Sequence, residues 1–173
     1  MFKKLLITGA ILAISSSVAF ADCPYAGFGV NMRDNIKNLN SYRGIEGSVF
    51  VGYGGMVNPI FQLAGELFGV PGSMSINNNG LKTSYGYGAS LIPSMMITEH
   101  AMTFVRFGIV RTYFTGASRQ VTGGQLGLGL QTGLTQNWDI RAEYIYTAYN
   151  SVSSALGAPK SDQAQLSLVY KFE

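Results

Sequence analysis

Residues 163–172 alternate polar and apolar side chains with a period of two. Ala164, Leu166, Leu168, Tyr170 and Phe172 share one face of an extended strand; Gln163, Gln165, Ser167 and Lys171 share the other, and only Val169 breaks the polar side. The same period recurs in eight segments, at roughly 25–33, 43–55, 60–70, 81–96, 102–115, 121–134, 138–149 and 162–172. Beyond the first 21 residues there is no apolar run of the ~18 residues that a spanning helix needs. The most hydrophobic stretch, 48–70, is interrupted by Asn58-Pro59, Gln62 and Glu66. Any large apolar face of this chain must therefore be built from strands.

Charge falls on one of the two faces. Ile45, Val49, Val51 and Tyr53 oppose Glu46, Ser48 and Gly52, and Phe61, Leu63 and Leu67 oppose Gln62 and Glu66. Tyr85, Tyr87, Ala89 and Leu91 oppose Lys82, Ser84, Gly86, Gly88 and Ser90, while Leu126, Leu128 and Leu130 oppose Gln125, Gly127, Gly129 and Gln131. Ile140, Ala142, Tyr144 and Tyr146 oppose Asp139, Arg141, Glu143 and Thr147. Arg106 shares its parity with Gly108 and Thr112 but also with Phe104 and Val110, and is assigned to the polar side. An Arg facing lipid at the bilayer midplane costs ~2–4 kcal/mol, so this segregation is what a lipid-exposed wall requires. Such a wall must close on itself, because an open edge would leave backbone polar groups unsatisfied in hydrocarbon. The predicted fold class is all-β: an eight-stranded antiparallel transmembrane β-barrel preceded by a cleaved signal peptide. A soluble lipocalin-like carrier needs an apolar cavity and a polar exterior, and the mid-strand charges on the inner faces argue against it.

Residues 1–21 carry the signal: Lys3 and Lys4 form a positive start, 5–14 an apolar stretch, and Ala19-Phe20-Ala21 a small-x-small cleavage site. The barrel domain then covers 22–173, one domain by length. Asp22 is not the small residue that precedes a lipid-modified cysteine, so Cys23, the single cysteine, is expected to be a free thiol. The connections alternate in character. Those at 56–59, 97–101 and 135–137 are short, and those at 34–42, 71–80, 116–120 and 150–161 are mostly longer and rich in Asn, Ser and Gly. Short turns on one side and longer loops on the other fit an outer-membrane barrel with periplasmic turns. Export and an even strand number place the chain in the outer membrane of a Gram-negative bacterium, as a monomer in contact with outer-membrane lipid and lipopolysaccharide.

Other functions find little to build on. Removing Lys3 and Lys4 lowers the formal charge from +3 to +1, so the basic balance implies no nucleic-acid partner. The only histidine, His100, falls in a short turn and reads as solvated; alone it supplies neither a catalytic base beside a nucleophile nor a multi-histidine metal site. Gly127-Leu128-Gly129 lies in an alternating strand with no helix after it, which makes room inside a barrel rather than a phosphate loop. No catalytic residue, cofactor or metal is expected.

Gly52-Tyr53-Gly54, Glu66 flanked by Gly65 and Leu67, Tyr85-Gly86-Tyr87-Gly88, Arg106-Phe107-Gly108, Glu143-Tyr144 and the terminal Tyr170-Lys171-Phe172 occur in the order seen in a known family. In these motifs the chain resembles the small outer-membrane β-barrels of the opacity and OmpA/OmpX type, over essentially all of 22–173. The resemblance implies insertion by the barrel-assembly machinery, which would read Tyr170 and Phe172 as a C-terminal signal. Here Glu173 follows the aromatic.

An eight-stranded barrel is just wide enough for side chains to fill it, so Glu46, Glu66, Arg106, Arg141 and Glu143 are expected to meet as a lumen charge network. The alternative is a narrow porin-like path for small solutes or ions. Any extracellular ligand would be met by the loops, with Tyr42, Arg43, Asn77, Asn78, Asn79, Arg119 and Tyr149 as exposed candidates.

Overall fold

A computed structural model describes residues 23–37, 40–78, 82–98, 100–115, 119–150 and 158–172. The segment 1–21, expected to be a signal, lies outside them, as do Asn79 and Glu173. Nine strands are present: β1 (Cys23–Lys37), β2 (Asn40–Met56), β3 (Phe61–Val70), β4 (Ser73–Asn78), β5 (Lys82–Thr98), β6 (Ala101–Thr115), β7 (Arg119–Gly133), β8 (Trp138–Tyr149) and β9 (Lys160–Lys171). Each pairs antiparallel with its neighbours in the order β1-β9-β8-β7-β6-β5-β3-β2-β4, and β1 also pairs with β2, which closes the sheet. β3 and β4 both run along β2, opposite Val49 to Met56 and Tyr42 to Glu46 respectively. They are one wall strand broken at Pro71-Gly72, so the barrel has eight wall positions. Proline has no N–H to give to a ladder, which accounts for a break at this point.

The wall is apolar outside and polar inside. Val30, Leu67, Ile109 and Leu128 are each more than 60% exposed, whereas Asn31, Glu46, Glu66, Arg106, Arg141 and Glu143 are at most 5% exposed. A water-soluble protein shows the reverse. Phe104 and Val110, which share the parity of Arg106, are themselves buried inside. The short turns are closed by side chains: Asn58 Oδ1 accepts from the N–H groups of Ile60 (2.9 Å) and Phe61 (2.8 Å), and Thr135 Oγ1 accepts from the N–H of Trp138 (3.1 Å).

Inward aromatic rings lie over inward glycines. A Cβ on Gly52 would stand 2.1 Å from Tyr25 Cζ, and one on Gly129 would stand 2.3 Å from Phe104 Cζ. The ring of one strand thus occupies the space that a side chain on the neighbouring strand would take. The alternation of Gly with large residues is a packing pattern as well as a signature of strands.

Four expectations are corrected. The segment 71–80 is not loop throughout: Ser73–Asn78 form β4, because their backbones pair with Tyr42 to Glu46 of β2. The segment 34–42 is not a loop: β1 runs on to Lys37 and β2 starts at Asn40, with Asp34 opposite Arg43 and Asn35 opposite Tyr42. Strands continue past the hydrocarbon, and there polar residues with the composition of a loop belong to the ladder. Lys82 does not belong to the inner face. A register shift between Thr83 and Tyr85 puts one extra residue in β5, so Thr83 is buried opposite Phe114, whereas Lys82 lies opposite the exposed Thr115. Tyr42 and Tyr149, expected to be exposed, are buried at 0% and 4%, because each shares the inward parity of its strand.

Gly52→Ala should hinder the Tyr25 ring and destabilise the barrel by the ~1–3 kcal/mol typical of overpacking. The folded fraction, read as the band that migrates faster unheated than boiled on a gel, should fall, and Tyr25→Leu in the same background should raise it again. Equal folded fractions for parent and Gly52→Ala would show that the ring does not need this space.

Candidate functional site: a charged lumen

Four of the five predicted lumen charges meet at mid-barrel. Arg106 on β6 is central: its Nη2 lies 2.6 Å from Glu66 Oε1 and donates to Glu143 Oε2 at 3.0 Å, its Nε bonds Glu143 Oε1, and its Nη1 donates to Ser90 Oγ at 3.0 Å. Arg141 Nη1 lies 2.7 Å from the second oxygen of Glu66, which also accepts from Tyr25 Oη at 3.2 Å. β3 and β8, which carry Glu66 and Arg141, stand four places apart in either direction around the eight-membered wall. The Glu66–Arg141 pair therefore spans the full width of the barrel. Gly127, on the strand between β6 and β8, lets Arg106 reach Glu143 over it; a Cβ there would sit 3.0 Å from Glu143 Oε1.

Toward the end that carries the chain termini the network continues through residues not singled out from the sequence. Arg141 Nε donates to Gln131 Oε1 (2.8 Å), Gln131 Nε2 donates to Asp139 Oδ2 (2.6 Å), and Asp139 Oδ1 lies 2.9 Å from Lys171 Nζ. Three aromatic rings surround the Arg141 guanidinium, with Cζ 5.5 Å from Tyr25, 5.0 Å from Phe50 and 5.1 Å from Phe104, and Arg106 lies 5.7 Å over Phe68. Each ring contributes attraction to a cation held away from water.

Glu46, the fifth predicted charge, stands apart. It pairs with Arg33 (2.8 Å), whose Nη2 donates to Gln163 Oε1 (2.6 Å) in the half of the lumen nearer the β1–β2 hairpin. Arg33 lies at the edge of the predicted strand, and its parity with Gly29 and Asn31 is the sequence sign of its inward position. Among the described residues, the lumen carboxylates Glu46, Glu66, Asp139 and Glu143 are each in an ion pair with Arg33, Arg106, Arg141 or Lys171. Charges removed from water are tolerated when paired in this way. A cavity of about 20 Å³ lined by Arg33, Glu66, Arg106 and Gln125 lies on one side of the central network, and one of about 50 Å³ lined by Tyr25, Gln131, Arg141 and Lys171 on the other. A single water needs about 10–15 Å³ measured in this way, so these spaces hold a few waters at most.

The loop candidates separate. Arg43 is exposed and pairs with Asp34 at 2.9 Å. The backbones of Asn77 and Asn78 pair with Arg43 and Tyr42, and Arg119 opens β7 opposite Phe114. Tyr149 packs edge-on against Phe114 at 5.1 Å, and its hydroxyl lies 3.2 Å from Thr112 Oγ1. At the opposite end Trp138, Tyr170 and Phe172 form a chain of edge-to-face rings, each contact 5.0 Å between centroids. His100 is exposed in the turn between β5 and β6.

Removing Arg106 leaves Glu143 without its ion-pair partner, while Glu66 keeps Arg141. Breaking a buried pair from one side costs ~3–5 kcal/mol. Arg106→Ala should lower the unfolding midpoint in denaturant strongly, and Glu143→Gln in that background should restore more of it than Glu66→Gln. Equal rescue by the two would mean that the pairing is not divided in this way.

A family model described as outer membrane protein beta-barrel domain matches residues 6–172. Comparison with curated protein sequences found no match. Among solved structures the chain is similar to Neisserial surface protein A (NspA), at 18% identity and a TM-score of 0.64, covering 86% of this chain and 97% of that one. It is also similar to Ail, the attachment invasion locus protein of Yersinia pestis, solved in complex with the heparin analogue sucrose octasulfate, at 18% identity and a TM-score of 0.61, covering 87% and 99%. At this identity the likeness concerns the fold. With the family match over nearly the whole length and a closed, inside-out barrel, the chain belongs to the outer membrane protein β-barrel family and resides in the Gram-negative outer membrane.

Proposed function

We propose that the protein is a non-enzymatic integral outer-membrane barrel with a plugged lumen, which holds four hairpin ends at the cell surface for an envelope-structural or adhesive role. The observation that carries the plug is the Glu66–Arg141 pair across the full barrel, with Arg106 and Glu143 joined to it. An ion or solute would have to displace these groups, at the cost of leaving buried charges unpaired. The porin-like alternative requires a continuous path, and the small spaces on either side of the network do not favour it. The surface role rests on the ladders that continue beyond the apolar band, as where Asp34 and Arg43 pair near the first hairpin tip. Attachment is part of the name of Ail; for this chain it is proposed beside a purely structural role, and an attachment assay separates the two.

Folded parent protein in planar bilayers should show negligible conductance, and stable single-channel currents would replace the plug with a pore. Displayed on a non-adherent Gram-negative strain, the parent should increase attachment to matrix-coated surfaces, and replacing 150–157 by Gly-Ser repeats should reduce that gain. No gain in attachment would leave the structural role alone. We also assign Tyr170 and Phe172 to assembly, because they end the lipid-facing side of β9 within the aromatic chain at the periplasmic end. Phe172→Ala should lower the folded outer-membrane level several-fold, whereas deleting Glu173 should leave it equal or higher.

A further inference from the structure

The outer face of β5 and β6 changes character at one height. Along β6 the lipid-facing residues Phe107 and Ile109 are followed by Arg111, Tyr113 and Thr115. Along β5, Leu91 is followed by Tyr87 and Tyr85 and then, past the extra residue, by Lys82. The ladder sets Tyr87 opposite Arg111, Tyr85 opposite Tyr113 and Lys82 opposite Thr115, so all six side chains share the outer face. The Tyr85 and Tyr113 rings are stacked, 5.3 Å between centroids and 4° from parallel, and Gln120 Nε2 on β7 donates to Tyr85 Oη at 3.1 Å. Arg111 is exposed and has no ion-pair partner among the described residues.

The height of this cluster follows from strand geometry. At ~3.3 Å per residue and a tilt near 40°, the stretch of β6 from Ala101 to Arg111 rises about 25 Å, the height of the apolar band of such barrels. Arg111 therefore stands at the extracellular boundary of the hydrocarbon, where a charge costs ~0–1 kcal/mol rather than the midplane value. Lys82 lies about 13 Å further along, on the other side of the stacked rings. Without the extra residue in β5, Lys82 would point into the lumen; the bulge brings it to the outer face.

We infer that this patch binds the phosphorylated sugar headgroup of an outer-leaflet glycolipid, the lipid A portion of lipopolysaccharide. The Arg111 guanidinium presents a fork of N–H donors to a phosphate, Lys82 supplies a second cation, and the flat Tyr85–Tyr113 pair offers a face for a sugar ring between them. Phe107 and Ile109, directly below, lie where the acyl chains of the same molecule descend. This apolar continuation, together with the sideways orientation of the patch, commits the site to a lipid rather than to a soluble anion. The inference deepens the outer-membrane assignment and is independent of whether the lumen conducts.

The test uses the whole mature chain, folded in phosphatidylcholine nanodiscs and analysed by native mass spectrometry for lipids retained after addition of bisphosphorylated lipid A, enzymatically dephosphorylated lipid A or phosphatidylglycerol. Bisphosphorylated lipid A should be retained at least tenfold better than either of the others. The double variant R111Q/K82Q should lose this preference while keeping the heat-dependent gel shift of the parent. Equal retention of dephosphorylated lipid A would overturn the phosphate contact, and equal retention of phosphatidylglycerol would overturn the sugar contact. An undiminished preference in a folded R111Q/K82Q would place the site elsewhere. The three-lipid comparison on the parent protein decides the question even if the variant fails to fold.

Discussion

Every backbone N–H and C=O in the hydrocarbon must find its partner within the protein, and the other features of this chain follow from that constraint. The β1–β9 ladder, running from Tyr25 opposite Lys171 to Ile36 opposite Lys160, removes the edges that an open sheet would present to lipid. Closure then gives each strand one face toward lipid and one toward the lumen. Because side chains alternate strictly along a strand, polarity becomes a matter of parity: Leu126, Leu128 and Leu130 on β7 face lipid, and Gln125 and Gln131 do not.

Eight strands also make the lumen narrow, and narrowness decides how it is filled. Some large inward rings fit because the paired residue of the neighbouring strand has no side chain, as at Gly52 beneath Tyr25 and Gly129 beneath Phe104. The same narrowness brings charges from opposite walls into direct contact, so that Glu66 and Arg141 bridge the barrel and Arg106 ties Glu143 to them. Aromatic rings and ion pairs share one layer here, with Arg141 held among Tyr25, Phe50 and Phe104. Each charge of this layer is held by partners on other strands.

Above the hydrocarbon the rules relax, and the extracellular half shows it. The third wall strand breaks at Pro71-Gly72, and β5 gains an extra residue between Thr83 and Tyr85. Water can satisfy a backbone group left unpaired there, so irregularity is tolerated and can be put to use. The bulge in β5 changes the side of the wall on which Lys82 lies, and with Arg111 and the stacked tyrosines it makes a polar, aromatic outer rim where the apolar wall ends.

The sequence by itself determined the class of this protein. The period of two, the absence of a long apolar run in 22–173 and the placing of Glu66, Arg106, Arg141 and Glu143 on polar faces were sufficient to read an inside-out barrel, because parity along a strand is a local property. Tertiary structure decided which inward charges pair. Glu46 turns to Arg33 and not to the central network, and Asp139 and Lys171 join through Gln131, since partners on different strands are set by register, which no single segment encodes. It also decided where parity fails: one extra residue beside Thr83 moves Lys82 across the wall. Cross-strand pairing also decides strand extent at 34–42 and 73–78, where polar residues have the composition of loops yet belong to the ladder. Local alternation therefore specified which faces exist, and closure of the barrel specified what meets across them.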